Sequence, residues 1–433
     1  MRRSGSFDSR FAAASVLCAL STGPGIARAD LILHAADGWQ FFTRGRAEAH
    51  YQLIQGDGDP HNLNNKLVGG QFQNTAQDEN NKVFDSRIRS GFVGSQIGFG
   101  VSNQFNETHE VRAFVSVWLN GIDSHKGTPP YNKDVDVREA WGSVAGPFGT
   151  FVFGRAFSIF ASASGDVNSY AFEYGVGNPC LAEVSTIACG SVGAGPLYAG
   201  YNAQFRYITP RLAGFEIQAS LEDPSSLPDY QITRLPRVEG EISYQLGFRR
   251  DGKFVVKGQG LAQRLGKVNT TRDGVVSTTA WGAMGVARLE IAGLRLGGGV
   301  WTGKGMGTHV PFQQDDQGKP LAHDLPGGVD ANGASLPGDQ LRMFRGFFGN
   351  VVCDYHGTAL ALGGGGVSVQ ETLSDATTVS TSLLRQNLEF HAVLTHRIHA
   401  MVLSVEMMHW KSEWYRGETQ SINFIGGGST IVW

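Results

Sequence analysis

From Gly38 to Ile54 the chain alternates residue by residue. Phe41, Thr43, Gly45, Ala47, Ala49, Tyr51 and Leu53 fall on one face, and Arg44, Arg46, Glu48, His50 and Gln52 on the other. A period of two is that of a β-strand. The run is also long enough for a tilted strand that crosses a bilayer. Arg237 to Arg249 repeats the pattern, with Val238, Ile242, Tyr244, Leu246 and Phe248 opposite Arg237, Glu239, Glu241, Ser243 and Gln245. Leu384 to Leu394 repeats it again, with Leu388, Phe390, Ala392 and Leu394 opposite Arg385, Asn387, Glu389 and His391.

A soluble sandwich alternates in the same way, so the connections have to decide. They alternate between long and short. Long ones run from Gln55 to Val83, Asn120 to Lys133, Ser158 to Tyr201, Asp223 to Pro236, Lys267 to Ser277, Lys304 to Gln340, Ser374 to Ser382 and Lys411 to Thr419. Short ones lie near Asn106, Pro147, Leu212, Asp251, Gly293, His356 and Arg397. Tight turns at one end and long loops at the other mark an outer-membrane barrel. The count predicts about sixteen strands in an all-β, antiparallel, up-and-down transmembrane barrel. Trp39, Phe41, Phe148 and Phe151 flank the start or the short turns, and Tyr51, Trp118, Trp301 and Trp410 approach the long loops. That placement predicts two aromatic girdles.

Composition changes this picture at the N-terminus. Arg2 and Arg3, an apolar run from Phe11 to Leu20, and Ala27-Arg28-Ala29 before Asp30 read as a secretory leader. The expected division is a leader at 1–29 and a barrel domain at 30–433. After residue 29 no apolar stretch approaches the ~20 residues of a membrane helix. The formal net charge of -3 argues against a nucleic-acid binder, which usually needs a basic surface. The 59 glycines suit tight turns and crowded strands. Cys180 and Cys189 lie close together in a loop-like stretch, and an exported chain meets an oxidising compartment. A Cys180–Cys189 disulfide is expected, with two unpaired thiols as the alternative. Cys353 stands alone.

Catalytic and metal motifs are absent. There is no G-x-S-x-G, H-E-x-x-H, C-x-x-C or P-loop. His391, His396, His399 and His409 cluster in sequence, but their spacing fits no common metal site. No catalytic residue, metal ligand or cofactor is expected.

Several segments resemble the Gram-negative general porins. Ser86 to Gly94 looks like that family's second strand. Arg138-Glu139-Ala140-Trp141-Gly142, followed by Gly146 to Arg155, is similar to its fourth strand, turn and fifth strand. Gln204 to Tyr207 with Pro210 to Phe215 resembles the next hairpin, and the terminal aromatic Trp433 resembles the family's assembly signal. The resemblance implies an outer-membrane homotrimer in contact with lipid, open to small hydrophilic solutes and ions. It also implies a third loop, Ser158 to Tyr201, folded into the lumen. On that basis the wall of the constriction is expected at Arg44, Arg46, Arg87, Arg89, Arg112 and Arg138, facing Asp166, Glu173 and Glu183 on the loop. Trp39 and Trp433 are expected in a girdle or in assembly. The chain departs from the family in ending on Trp433 rather than Phe, and in carrying the cysteine pair on the third loop. The alternative expectation is therefore a channel selective for an anion or a small organic solute.

Overall fold

Strand after strand pairs antiparallel with its neighbour in sequence. The computed structural model describes residues 30–58, 60, 66–68, 78–119, 135–179, 188–224, 232–248, 251–268, 275–306, 341–372, 375–376 and 381–433. In order the elements are β1 (Leu31–Ala36), β2 (Trp39–Asp57), β3 (Lys66–Val68), β4 (Lys82–Arg89), β5 (Ser95–Gln104), β6 (Glu110–Leu119), β7 (Val135–Gly146) and β8 (Gly149–Phe157). The helix α1 (Ala163–Tyr174) and two short strands, β9 (Asn178–Pro179) and β10 (Ala188–Gly190), follow. Then come β11 (Tyr201–Ile208), β12 (Phe215–Glu222), β13 (Arg237–Phe248), β14 (Gly252–Val268), β15 (Val275–Ile291) and β16 (Leu294–Lys304). The last are β17 (Met343–Tyr355), β18 (Thr358–Val369), β19 (Thr381–Ile398), β20 (Met401–Trp414) and β21 (Thr419–Val432).

The main sheet contains nineteen of these strands. β4 and β5 both pair with β2 and form one interrupted wall strand. β1 pairs with β2 below the stretch that pairs with β21, so it prolongs the line of β21. β3 is a loop strand that pairs in parallel with the start of β19. The wall therefore has sixteen positions, and it closes because β21 pairs with both β20 and β2.

Closure sorts the alternating faces. Phe84, Ile88, Phe99, Phe205, Val300 and Phe390 point outward and give the barrel an exposed apolar outer surface. On β2 the inward residues are Phe42, Arg44, Arg46, Glu48, His50, Gln52 and Ile54, the parity expected from the sequence. The inward face is less polar than alternation alone suggests. Leu261, Met284, Trp301, Phe344, Phe348 and Val367 share one buried core with Phe160, Val167 and Leu197 of the third loop. This corrects the girdle assignment of three tryptophans. Trp118, Trp301 and Trp410 turn into the barrel and are buried, because each finds packing or a hydrogen-bond partner there. Tyr51 does face outward.

Outside the wall, the connection after β18 holds a small clasp. Asp375 Oδ1 accepts from Arg342 Nη2 at 2.7 Å, and Oδ2 accepts from Arg342 Nε at 2.9 Å and from the Thr372 amide at 3.0 Å. Burial opposes the charge, but the Arg342 guanidinium and Thr372 outweigh it and hold the Asp375 carboxyl below the usual aspartate range. A carboxyl depressed on folding stabilises above its ordinary pKa, and the contribution is lost as the pH falls through the folded value. The clasp is therefore expected to hold at neutral pH and to loosen only below about pH 4. Limited proteolysis across a pH series checks this. Asp375→Asn should be cut at pH 7 as fast as the wild type is cut in acid.

Candidate functional site

Between β8 and β11 the chain turns into the barrel. The Ser158 amide donates to Gly200 O at 3.1 Å and closes the neck of the loop. Wall side chains then take the main chain in hand. Ser158 Oγ donates to Glu222 Oε2 at 2.7 Å, and Arg237 Nη2 reaches the same carboxylate oxygen at 2.6 Å. The Phe160 amide donates to Glu239 Oε2 at 2.7 Å and the Ala161 amide to Gln259 Oε1 at 3.0 Å. Buried amides without partners are costly, so these side chains fix where the loop enters.

The helix α1 was not expected from the sequence. Ala163, Ser164 and Gly165 are small enough to lie against the wall, and Asp166 in the first turn complements the helix dipole. The helix runs along β15 to β19. It ends before Gly175, where a second set of anchors begins. The Phe92 amide donates to Gly175 O at 3.1 Å. Glu406 on β20 accepts from the Val176 amide at 2.7 Å and the Gly177 amide at 3.1 Å. Gln52 on β2 donates to Gly177 O.

The returning limb is held as well. Asn387 Nδ2 donates to Gly193 O at 3.0 Å and Trp301 Nε1 to Gly195 O at 2.6 Å. The limb lies so close to β18 that a Cβ on Gly365 would stand 2.7 Å from Ala194 O and 3.0 Å from Gly195 Cα. The glycine run at 363–366, which looks like a motif in sequence, is partly the seat of this loop.

The wall arginines sit on β2, β4, β6 and β7, and acids of the wall meet several of them. Arg46 pairs with Glu48, Arg87 Nε with Asp85 Oδ2 at 2.8 Å, and Arg138 Nε with Asp136 Oδ2 at 2.7 Å. Each of these acids is two residues away on the same strand, hence on the same face. Arg138 also lies 4.3 Å from the Trp118 ring centroid and donates to the Tyr198 hydroxyl at 3.4 Å. Arg44 and Arg112 both reach Asp30. Arg89 is buried on the inward face.

Asp166 lies elsewhere. It meets Lys257 Nζ at 2.7 Å and Arg288 Nη1 at 3.7 Å, on β14 and β15. Of the other loop acids, Glu183 lies outside the described residues, as does the Glu173 side chain. The same holds for Cys180 and the Cys189 side chain, and so for their disulfide. Cys353 is a free, exposed thiol. Trp39 is half-exposed beside the first hairpin, and Trp433 exchanges main-chain hydrogen bonds with Gly45 at 2.9 and 3.1 Å. Sequence reasoning missed Asp30, Lys257, Arg288, Glu239 and Glu406. Inward parity marked Glu239, but only the loop's path shows what it holds.

One constellation has the composition of a hydrolase triad. Ser191 Oγ lies 3.4 Å from His391 Nδ1, and Glu389 Oε2 lies 3.0 Å from that same nitrogen. A relay needs the acid and the nucleophile on opposite ring nitrogens, so this arrangement cannot pass a proton from serine to histidine under the carboxylate's support. Among the described residues no group of three or more His, Cys, Asp or Glu side chains could hold a metal ion. No described helix is long and apolar enough to cross a membrane.

Comparison with known proteins agrees with this architecture. The family described as Gram-negative porin matches residues 13–248, more than half of the chain. No curated protein gives a significant sequence match. Among solved structures, the outer membrane channel DcaP of Acinetobacter baumannii superposes with a TM-score of 0.62 at 14% identity, covering 93% of this chain and 100% of that one. An anion-selective porin from Comamonas acidovorans gives 0.55 at 11% identity, over 91% and 100% of the two chains. OmpT, an outer membrane protein of Vibrio cholerae, gives 0.52 at 13% identity, over 93% and 99%. At these identities the likeness is one of fold. The family match goes further: this chain belongs to the Gram-negative porins, outer-membrane channels that solutes cross by passive diffusion.

Proposed function

We propose that this porin is a channel of fixed, narrowed aperture for small hydrophilic solutes and ions, assembled as a homotrimer and exported through a leader at 1–29 that is removed from the 30–433 barrel. The third loop carries the reading. Wall side chains on β13, β14, β16, β19, β20 and β2 bond its main chain at the entry, the turn and the return. A barrel of this size leaves an aqueous channel unless something occupies it. A loop held at so many points narrows the lumen without swinging. Arg44, Arg46, Arg87, Arg89, Arg112 and Arg138 form one side of the passage, and Asp166 with Lys257 and Arg288 belongs to the other.

Strand length supports an assembly. β8 has nine residues, and β11 and β12 have eight each, while β14 and β15 have seventeen. A strand that crosses lipid needs about 9–11 residues. β11 and β12 fall just short of that span and β8 only reaches it, so this low stretch of the wall is better suited to a neighbouring subunit than to lipid, while the tall side meets the membrane. The number three rests on the resemblance to the general porins. No catalytic role is assigned.

A second reading has its own observation. The six arginines gather on β2, β4, β6 and β7, and a rigid loop faces them, which suits selection of an anion or a small organic solute. One structure of similar fold is an anion-selective porin. Purified protein in planar bilayers separates the two. The expected result is stepwise conductance in threes, with linear current and weak ion preference. Block by one solute, or a strong anion preference, favours the second reading. Absence of any conductance overturns both.

A further inference from the structure

Three of the wall arginines meet an acid two residues away on their own strand, but Arg44 and Arg112 are held differently. They stand on β2 and β6, with β5 between them. Arg44 Nη2 reaches Asp30 Oδ1 at 2.6 Å and Arg44 Nε reaches it at 2.9 Å. Arg112 Nη2 reaches Asp30 Oδ2. One carboxylate therefore bridges two arginines of different strands.

The floor under this bridge is aromatic. Phe42 and Phe114 lie parallel, with centroids 6.1 Å apart. They have room because the β5 residues beneath them are Gly98 and Gly100, where a Cβ would strike the Phe114 and Phe42 rings respectively. The guanidiniums cross over. Arg44 lies 4.8 Å from the Phe114 centroid and Arg112 4.2 Å from the Phe42 centroid. Each cation is held against a ring by its charge and aimed at Asp30 by its hydrogen bonds. Asp30 keeps 20% of its side chain exposed, against 9% for Arg44 and 12% for Arg112, so the carboxylate is the part most open to water. Glu110, the next inward residue of β6, is the other acid of this corner, and its charge couples to both Arg112 and Asp30.

We propose that Asp30 is a specificity-determining residue, whose carboxylate masks Arg44 and Arg112 from passing solutes and so limits the channel's preference for anions. The inference deepens the channel reading and rests on it. Both arginines look like free cations of the constriction in sequence. In the folded chain their field reaches the lumen through a carboxylate that bridges them. Fixed charge in a narrow lumen sets ion preference, and the low dielectric of the surrounding wall strengthens the effect. Removal of the leader after Ala29 makes Asp30 the first residue and adds its α-ammonium to the corner. Replacing the side chain isolates the carboxylate in either case.

The test is the reversal potential in a potassium chloride gradient, measured on trimers that stay heat-resistant on gels. Asp30→Asn should raise the chloride-to-potassium permeability ratio by about twofold or more, and Asp30→Glu should keep the wild-type ratio. The double variant Asp30→Asn, Arg112→Gln removes one charge of each sign and should return toward wild type. An Asn variant that conducts with an unchanged ratio overturns the proposal. If the Asn variant does not assemble, the double variant decides, and a ratio displaced far from wild type overturns it. A wild-type protein with no conductance sinks the channel reading itself, a result distinct from either.

Discussion

Glu406→Ala is expected to unseat the far limb of the third loop and to raise single-channel conductance while the barrel stays folded. Glu406 accepts from the Val176 and Gly177 amides at the place where the loop turns back after α1. Removing the carboxylate leaves two buried donors without their acceptor, and each costs about 1–3 kcal/mol. The loop can recover that energy only by moving toward water, which is on the lumen side. The wall loses nothing comparable, because β20 keeps its full ladders with β19 and β21. Conductance should rise by about twofold, with larger current noise. Glu406→Gln retains an acceptor oxygen and should lie much nearer to wild type. Unchanged conductance and noise in Glu406→Ala would show that the remaining wall hydrogen bonds and the packing of Phe160, Val167 and Leu197 suffice to hold the loop.

That contrast also explains what was legible in the chain. The wall was readable because lipid and water impose opposite demands on alternate residues, as β2 and β13 show. The strand count followed from loop lengths for the same reason. The seat of the third loop was hidden. Trp301, Phe344 and Phe348 occupy inward positions, where alternation predicts polar residues, because the loop rather than water covers them. A tryptophan near a long loop then reads as a girdle residue, and only its inward partner corrects it, on the loop for Trp301 and on its own strand for Trp118 and Trp410. The arginines were readable as inward charges, but their partners were split. Glu48, Asp85 and Asp136 stand two residues away and could have been paired by parity. Asp30 sits at the edge of the leader, and nothing local links it to Arg112, 82 residues on. The cation partners of Asp166 depended on how far the loop crosses the barrel, which no periodicity encodes.

The second large effect is expected at the barrel seam. Gly45→Val should block closure and sharply reduce the yield of heat-resistant folded protein. Gly45 exchanges main-chain hydrogen bonds with Trp433, the last residue of the chain. A Cβ at Gly45 would stand 2.5 Å from Trp433 Cζ2 and 2.8 Å from Gln96 O on β5. One neighbour is a ring that can turn aside, but the other is main chain of the adjacent strand and cannot. Overpacking of this kind typically costs about 1–3 kcal/mol. Here it falls where β21 must find β2, and an open sheet edge is not tolerated in lipid. Trp433→Ala removes the ring but keeps both main-chain bonds, so it should assemble with a smaller loss. Folding into detergent, followed by comparison of heated and unheated samples on gels, ranks the three proteins. Equal loss in the two variants would place the seam's requirement on the indole instead of on the space that Gly45 leaves.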